Sequence, residues 1–286
     1  MKRISFIIAL ILVLSAAACK GKKAEPNSAE PSLNTQTITS SLGLSESQSS
    51  AVNPAEAYGK YIESKGKAYD RISEKISENE GYAFLVGMAL IPVATVDLFL
   101  LPLTVIGMGS GSEIALGMLG MQGVKIDQKG TDFTITYNDR DGNSMVQTCE
   151  YDPASDSMRS VINENDREIL FFEYVKTGNG YASQYTTFNK DNNDIKLIKS
   201  FFDDSNIVGF GFESTSGRPN SIYKNKNLGS QFVINNEMYF MLEDGQLKVM
   251  ENGKEKEADN PLSLFGSLMG GDMDFQKILD SLETDN

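Results

Sequence analysis

The chain is expected to fold as α+β, a large antiparallel β-meander of about nine or ten strands packed against N-terminal and C-terminal helices. Three features of the sequence predict it. Apolar residues recur at three-four spacing over residues 57–76. The period falls to two after Val124, where Phe133, Ile135 and Tyr137 alternate with threonines. Polar turn signals at short, regular intervals then separate one apolar run from the next.

Taken in chain order, Asn53 is a helix N-cap, with Pro54 at the first helical position and Glu56 at the third. Ala57, Tyr58, Tyr61, Ile62, Ala68, Tyr69, Ile72 and Ile76 form one stripe that runs to about Asn79, opposite a face of Lys, Glu and Ser. Gly59 and Gly66 are its weak points. A stripe of this kind is buried in the domain core or laid on a membrane, and both readings stand at this level.

Residues 82–121 are mostly Gly, Ala, Val, Leu, Ile and Met. The charge positions argue against a membrane span. Residues 81–96 give 16 uncharged positions before Asp97, and residues 98–112 give 15 before Glu113. A span needs about 20. Pro92 and Pro102 also break any single long helix. Two or three short helices are expected, over about 81–90 and about 95–101, with a third starting after Ser112 as its N-cap. That third helix carries Ile114, Leu116, Met118 and Leu119, and Gly107, Gly109 and Gly111 form a hinge before it. The glycines do not make a phosphate loop, because no Gly-Lys-Ser/Thr follows and no basic residue is near. Met88, Met108, Met118 and Met121 are adaptable side chains that suit a hydrophobic pocket, a lipid interface or a core.

The strands are expected over about 133–137, 145–151, 158–162, 168–175, 181–188, 195–202 and 207–213, following a first run at Val124. The connections are short and polar, among them Asp139-Arg140-Asp141-Gly142, Asp152-Pro153 and residues 163–166, 177–180, 189–193 and 203–204. Short sequential connections mean antiparallel neighbours. A break follows at residues 216–219, and a last hairpin over 237–242 and 246–250 closes at Glu243-Asp244-Gly245. The result is one large curved sheet or a barrel. At the C-terminus, Phe275, Ile278, Leu279 and Leu282 make a helical stripe whose polar face is acidic. Anionic lipid repels such a helix, so packing on protein or a lid role is favoured.

Composition excludes several classes of function. The chain has 286 residues, 26 Lys+Arg, 39 Asp+Glu and a net charge of −13, which argues against nucleic-acid binding. It has no histidine, which removes Ser-His-Asp and Cys-His catalysis and histidine metal sites. Its two cysteines, Cys19 and Cys149, cannot build a Cys-based zinc site. Asp139, Asp141 and Asn143 do not fit a calcium loop, because its first and twelfth positions would be Tyr137 and Thr148. No carboxylate pair stands out at a spacing that suggests glycoside hydrolysis. No catalytic residue, no metal ligand set and no cofactor is assigned, and the reading is non-enzymatic.

The first residues carry an address. Lys2 and Arg3 are a positive start, residues 4–14 are apolar apart from Ser5, and Ser15-Ala16-Ala17-Ala18 leads to Cys19. This layout resembles a bacterial lipoprotein signal peptide, although the leucine usual three places before the cysteine is Ala16 here. The resemblance implies cleavage before Cys19 and acylation of its thiol. The competing reading is an ordinary secretory signal cut after Ala18, with Cys19 free or bridged to Cys149. Lys20, Lys22 and Lys23 would sit at the headgroup level. The resemblance places the protein in the bacterial cell envelope, in the outer membrane if the host has two.

The organisation is therefore a signal peptide at 1–18, a lipidated tether at 19–52, and a helical region with an apolar segment at 53–122. The meander follows at 123–258 and the C-terminal helix at 259–286. Residues 53–286 are expected to be one folded domain. The element order resembles, without a diagnostic motif, the half-barrel of bacterial envelope lipoprotein carriers. That resemblance implies an apolar ligand, such as lipid, held between sheet and helices. Leu85, Met88, Leu98, Leu100, Leu103 and Met118 are the candidate lining. The alternative is a structural or surface lipoprotein that meets a protein partner through the sheet. The membrane, through the anchor, is the one partner common to both.

Overall fold

A computed structural model describes residues 53–77, 80–106, 110–178, 180–188, 195–203 and 207–255. The signal peptide, Cys19, the tether, the turns at 189–193 and at 204, Gly107 and Gly109, and the C-terminal helix lie outside the described residues.

Eleven strands form one antiparallel sheet in which every neighbour in sequence is a neighbour in space. They are β1 (Gln122–Lys129), β2 (Asp132–Asn138), β3 (Ser144–Asp152), β4 (Ser157–Glu164), β5 (Arg167–Thr177), β6 (Gly180–Phe188), β7 (Ile195–Asp203), β8 (Val208–Thr215), β9 (Met238–Glu243), β10 (Gln246–Glu251) and β11 (Lys254–Glu255). The turns explain the register. Asn165-Asp166, Asp244-Gly245 and Asn252-Gly253 all have positive φ at both positions, which matches the twist of a two-residue hairpin. Glu164 thus faces Arg167, and β4 runs two residues further than the sequence pattern indicates. At the β2–β3 turn the Asp139 carboxylate accepts the backbone N–H groups of Asp141 and Asn143, at 2.8 and 2.9 Å. That use as a turn brace accounts for the cluster of acids there.

Helix α1 (Pro54–Ser77) begins as expected, since Ala55 N–H donates to Asn53 Oδ1 at 3.0 Å. Its stripe faces the sheet. Tyr58, Tyr61, Ala68 and Ile72 are buried with Phe172 of β5, Phe202 of β7 and Phe210 of β8 in one apolar cluster. Burying one such side chain fully is worth about 1.5–3 kcal/mol.

The next segment departs from the expectation. Helix α2 (Glu80–Phe99) runs uninterrupted through Pro92, where two short helices were expected to divide. An interior proline costs about 3 kcal/mol. The buried row Val86, Ala89, Val93 and Val96, continued by Leu100, offsets that cost by packing on both sides of Pro92. A 3-10 turn (Leu101–Thr104) follows, with Pro102 in its first turn. Helix α3 (Ser110–Met118) starts two residues before the expected cap, and Gly111 lies inside it rather than in a hinge. Ser112 Oγ instead donates to the carbonyl of Val105 at 2.5 Å, tying α3 back to the turn. Among the described residues no helix is long and apolar enough to cross a membrane, which says nothing of strands.

One element was not foreseen. β8 pairs directly with β9, and the chain between them leaves the sheet and returns over its other face. That excursion includes the short helix α4 (Gln231–Ile234). Ile222 and Val233 bury Val175, Ala182 and Phe201 there in a second, smaller core.

Candidate functional site

Among the described residues, two buried polar clusters and a run of exposed apolar side chains are the features with chemical content. The first cluster is made by α1. Tyr58, Tyr61, Lys65 and Tyr69 follow one another at steps of three and four, so one face of the helix carries all of them. Lys65 was expected on the solvent face with the other charged residues of this helix. It is instead 1% exposed, because its position continues the tyrosine stripe. Its Nζ donates to Asp97 Oδ1 of α2 at 2.5 Å. It also lies 5.9, 5.7 and 5.5 Å from the ring centres of Tyr61, Tyr69 and Tyr185. An ammonium among ring faces is attracted by their quadrupoles, and more strongly when water is absent.

The rings are themselves fixed. Tyr61 stacks on Tyr174 with centroids 4.7 Å apart, and Tyr69 stacks on Phe210 at 5.7 Å. Tyr61 Oη donates to Ser183 Oγ at 2.9 Å, and Ser183 Oγ lies 2.5 Å from Ser200 Oγ. Among the described residues the hydroxyls of Tyr69 and Tyr174 meet no hydrogen-bond partner, and that of Tyr185 sits beside Ser200. Burial first, and then the Asp97 charge, hold the phenols of Tyr58 and Tyr61 well above their ordinary range. Burial does the same for Tyr69, Tyr174 and Tyr185. These phenols are neutral throughout the physiological range. The cluster is thus a neutralised ion pair in an aromatic box, and no group in it is free to act as a nucleophile.

The second cluster lies on the opposite face. Glu173 of β5 is fully buried. Its carboxylate accepts Arg159 Nε at 2.8 Å, Gln184 Nε2 at 2.9 Å, Ser221 Oγ at 2.7 Å and the N–H of Ile222 at 2.9 Å. Arg159 in turn lies 4.8 Å from the ring centre of Tyr223. Four donors occupy the carboxylate, so it pins the excursion between β8 and β9 to the sheet. Near the ends of β5–β7 an open cleft of about 320 Å³ is lined in part by Arg218, Glu168 and Ile195. Arg218 is engaged there in a bidentate pair with Glu168 and lies over Phe171.

The proposed lining residues divide. Leu100 and Leu103 are fully buried in the main core. Leu98 is 51% exposed and Met118 70% exposed. Leu85 and Met88 fall on α2 at positions whose side chains are outside the described set. The structure therefore does not gather these six around one cavity. It places two in the core and two on the outside. Phe99, Ile114 and Leu119 are exposed as well. Among the described residues, every large apolar side chain that is exposed falls between positions 98 and 119.

Cys149 is buried in the main core, and burial pushes its thiol far up, so it is an inert apolar filler. Among the described residues no three metal-ligating side chains come together. The Lys65–Asp97 pair was missed by the sequence reading, as were Phe99, Ile114 and Leu119 beside the named Leu98 and Met118. A signal for Lys65 was present in its spacing of four from both Tyr61 and Tyr69. Comparison with protein-family models, with curated proteins and with solved structures finds no match for this chain.

Proposed function

We propose that this protein is a non-enzymatic lipoprotein of the bacterial envelope, anchored through an acylated Cys19, which binds an apolar ligand of lipid character through its helical segment. In this reading the meander is a half-barrel, with the helices on its concave side. One observation carries the proposal. Among the described residues, exposed large apolar side chains are confined to a stretch of 22 positions from the end of α2 to just past α3. Scattered exposed leucines need no explanation, but their confinement to one stretch does. The binding surface is then the outer edge of the helical segment, since Leu100 and Leu103 are spent on the core. Part of the sheet face that would serve a protein partner, over β5–β7, is covered by the chain's own excursion.

The test is native mass spectrometry of residues 53–286 produced without the anchor, followed by solvent extraction. A stoichiometric excess of mass that extracts as lipid is the expected result. A clean unliganded mass from a cooperatively folded protein, unchanged by added lipid, refutes ligand binding and leaves an interaction role.

A further inference from the structure

Strand β1 is the outermost strand at one end of the sheet, and among the described residues no strand pairs with its outer edge. An unpaired edge is a row of free backbone donors and acceptors, and its side chains decide what it accepts. The hairpin fixes which backbone groups are free. Lys129 faces Asp132 across the two-residue turn Gly130-Thr131, and Asp127 and Lys125 face Thr134 and Thr136. The residues that close such a turn are hydrogen-bonded to each other, and bonded pairs alternate along an antiparallel ladder. Lys125, Asp127 and Lys129 therefore bond to β2, while the N–H and C=O groups of Ile126 and Gln128 point away from the sheet.

The side chains of β1 divide between two faces. Val124 and Ile126 pack on the main core but are only half-buried. Ile135, which faces Ile126 from β2, is fully buried. The apolar layer thus runs out to the edge strand and thins there. Lys125, Asp127 and Lys129 are exposed on the other face, with charges of alternating sign. Among the described residues none of the three is in an ion pair.

Two copies placed edge to edge about a two-fold axis pair antiparallel, and each cross-strand contact occurs twice. The registers that bring outward-facing backbone groups together differ in what the side chains meet. With Asp127 opposite Asp127, Lys125 falls opposite Lys129, and like charges face each other throughout. With Gln128 opposite Gln128, Asp127 falls opposite Lys129, but Ile126 is set against Gly130 in the turn. With Ile126 opposite Ile126, Lys125 falls opposite Asp127 on both sides of the axis, and Val124 stands opposite Gln128. That register alone joins both the charges and the apolar face. The bulge between Gln122 and Lys125, where Gly123 has φ 62°, ends the regular edge on one side. Lysines on so short an edge deter unrelated strands. The aspartate between them makes a second copy the matching partner.

We propose that β1 is a self-recognition edge, through which two copies of this chain pair antiparallel about Ile126, with two Lys125–Asp127 ion pairs on one face and Ile126 against Ile126 on the other. The sheet then continues across the axis. None of the residues assigned to ligand binding takes part. One edge strand buries less surface than a standard interface, so the dimer is weak and reversible.

The test is sedimentation equilibrium of the full chain in density-matched detergent, with micelles in large excess so that two chains share one only by binding. The parent is compared with Lys125→Asp, Asp127→Lys and the exchange K125D/D127K. These side chains are exposed, so the fold is retained. The expected result is a parent that approaches twice the single-chain mass as concentration rises. Association should be about tenfold weaker in each single variant, where like charges face each other at two places. The exchange should restore it, and mixing K125D with D127K should give a mixed dimer, because each presents the sign that the other lacks. A parent that stays single at every concentration overturns the proposal. So does association that neither single variant weakens, which places the contact elsewhere, or that D127K alone weakens, which is the Gln128 register. Failure of the exchange or of the mixture to restore association overturns the ion pairs.

Discussion

Removing the charge of Asp97 should cost more than removing that of Lys65, although the two form one ion pair. The reason is what each substitution leaves behind. Asp97→Asn leaves an ammonium 1% exposed with no counter-charge. Lys65→Met leaves a carboxylate that is 28% exposed and can recover water, while methionine fills the volume of the lysine stem. Breaking a buried pair by removing one partner costs about 3–5 kcal/mol when the survivor is fully enclosed. The three tyrosine rings around Lys65 still attract it, and the asparagine oxygen can still accept from Nζ. D97N is therefore placed at about 2–4 kcal/mol and K65M at about 1 kcal/mol. For a fold of this size about 1 kcal/mol moves the midpoint by 2–4 °C, so D97N should lose about 4–16 °C and K65M about 2–4 °C. The assay is reversible thermal or urea unfolding of both single variants and of the double variant. The double variant should be more stable than D97N alone, because it removes the stranded ammonium. Equal costs for the two single variants, or simple additivity in the double, would refute the argument.

Two further outcomes follow from the same geometry. Glu173→Ala should release the segment over residues 216–230, because it removes four acceptor contacts at once. Limited proteolysis should then cut within that segment while the main core stays intact, with a loss of about 3–5 kcal/mol on global unfolding. Protection equal to that of the parent chain would mean that the remaining contacts, among them the Arg218–Glu168 pair and the buried Ile222, hold it without the carboxylate. For the buried phenols of Tyr58, Tyr61, Tyr69, Tyr174 and Tyr185, the folded pKa is raised above the unfolded value near 10. Above pH 10 the unfolded state therefore binds fewer protons than the folded one. Their stabilising contribution is complete below pH 10 and declines as the pH rises, by about 1.4 kcal/mol per pH unit for each phenol kept neutral. Absorbance titration should show these phenolates appearing together with loss of the near-ultraviolet circular dichroism, whereas Tyr137, pushed up only to about 12, ionises nearer its own value. Smooth ionisation of all tyrosines before unfolding would contradict their burial.

Much of the meander was legible from the chain because its determinants are local. A strand needs only period two and a turn, and Asn165-Asp166, Asp244-Gly245 and Asn252-Gly253 supply the positive φ that short hairpins require. The start of α1 was legible for the same reason, since the Asn53 cap acts within two residues. The continuity of α2 was not. Pro92 is a local argument for a break, and it is overridden by packing of Val86, Ala89, Val93 and Val96, whose partners no short window contains. Nor could the excursion between β8 and β9 be placed, because Glu173 lies 48 residues from Ser221.

The sequence by itself determined the acidic balance, the absence of histidine chemistry and the order of strands, properties of composition and of neighbours along the chain. Only the tertiary structure decided that Lys65 is buried and Leu98 is not. Hydrophobic patterning states how much apolar surface an element carries, but burial depends on which other elements arrive. Asp97, 32 residues away, makes a buried lysine tolerable. Among the described residues, no element of this chain arrives to cover Leu98, Phe99, Ile114, Met118 and Leu119.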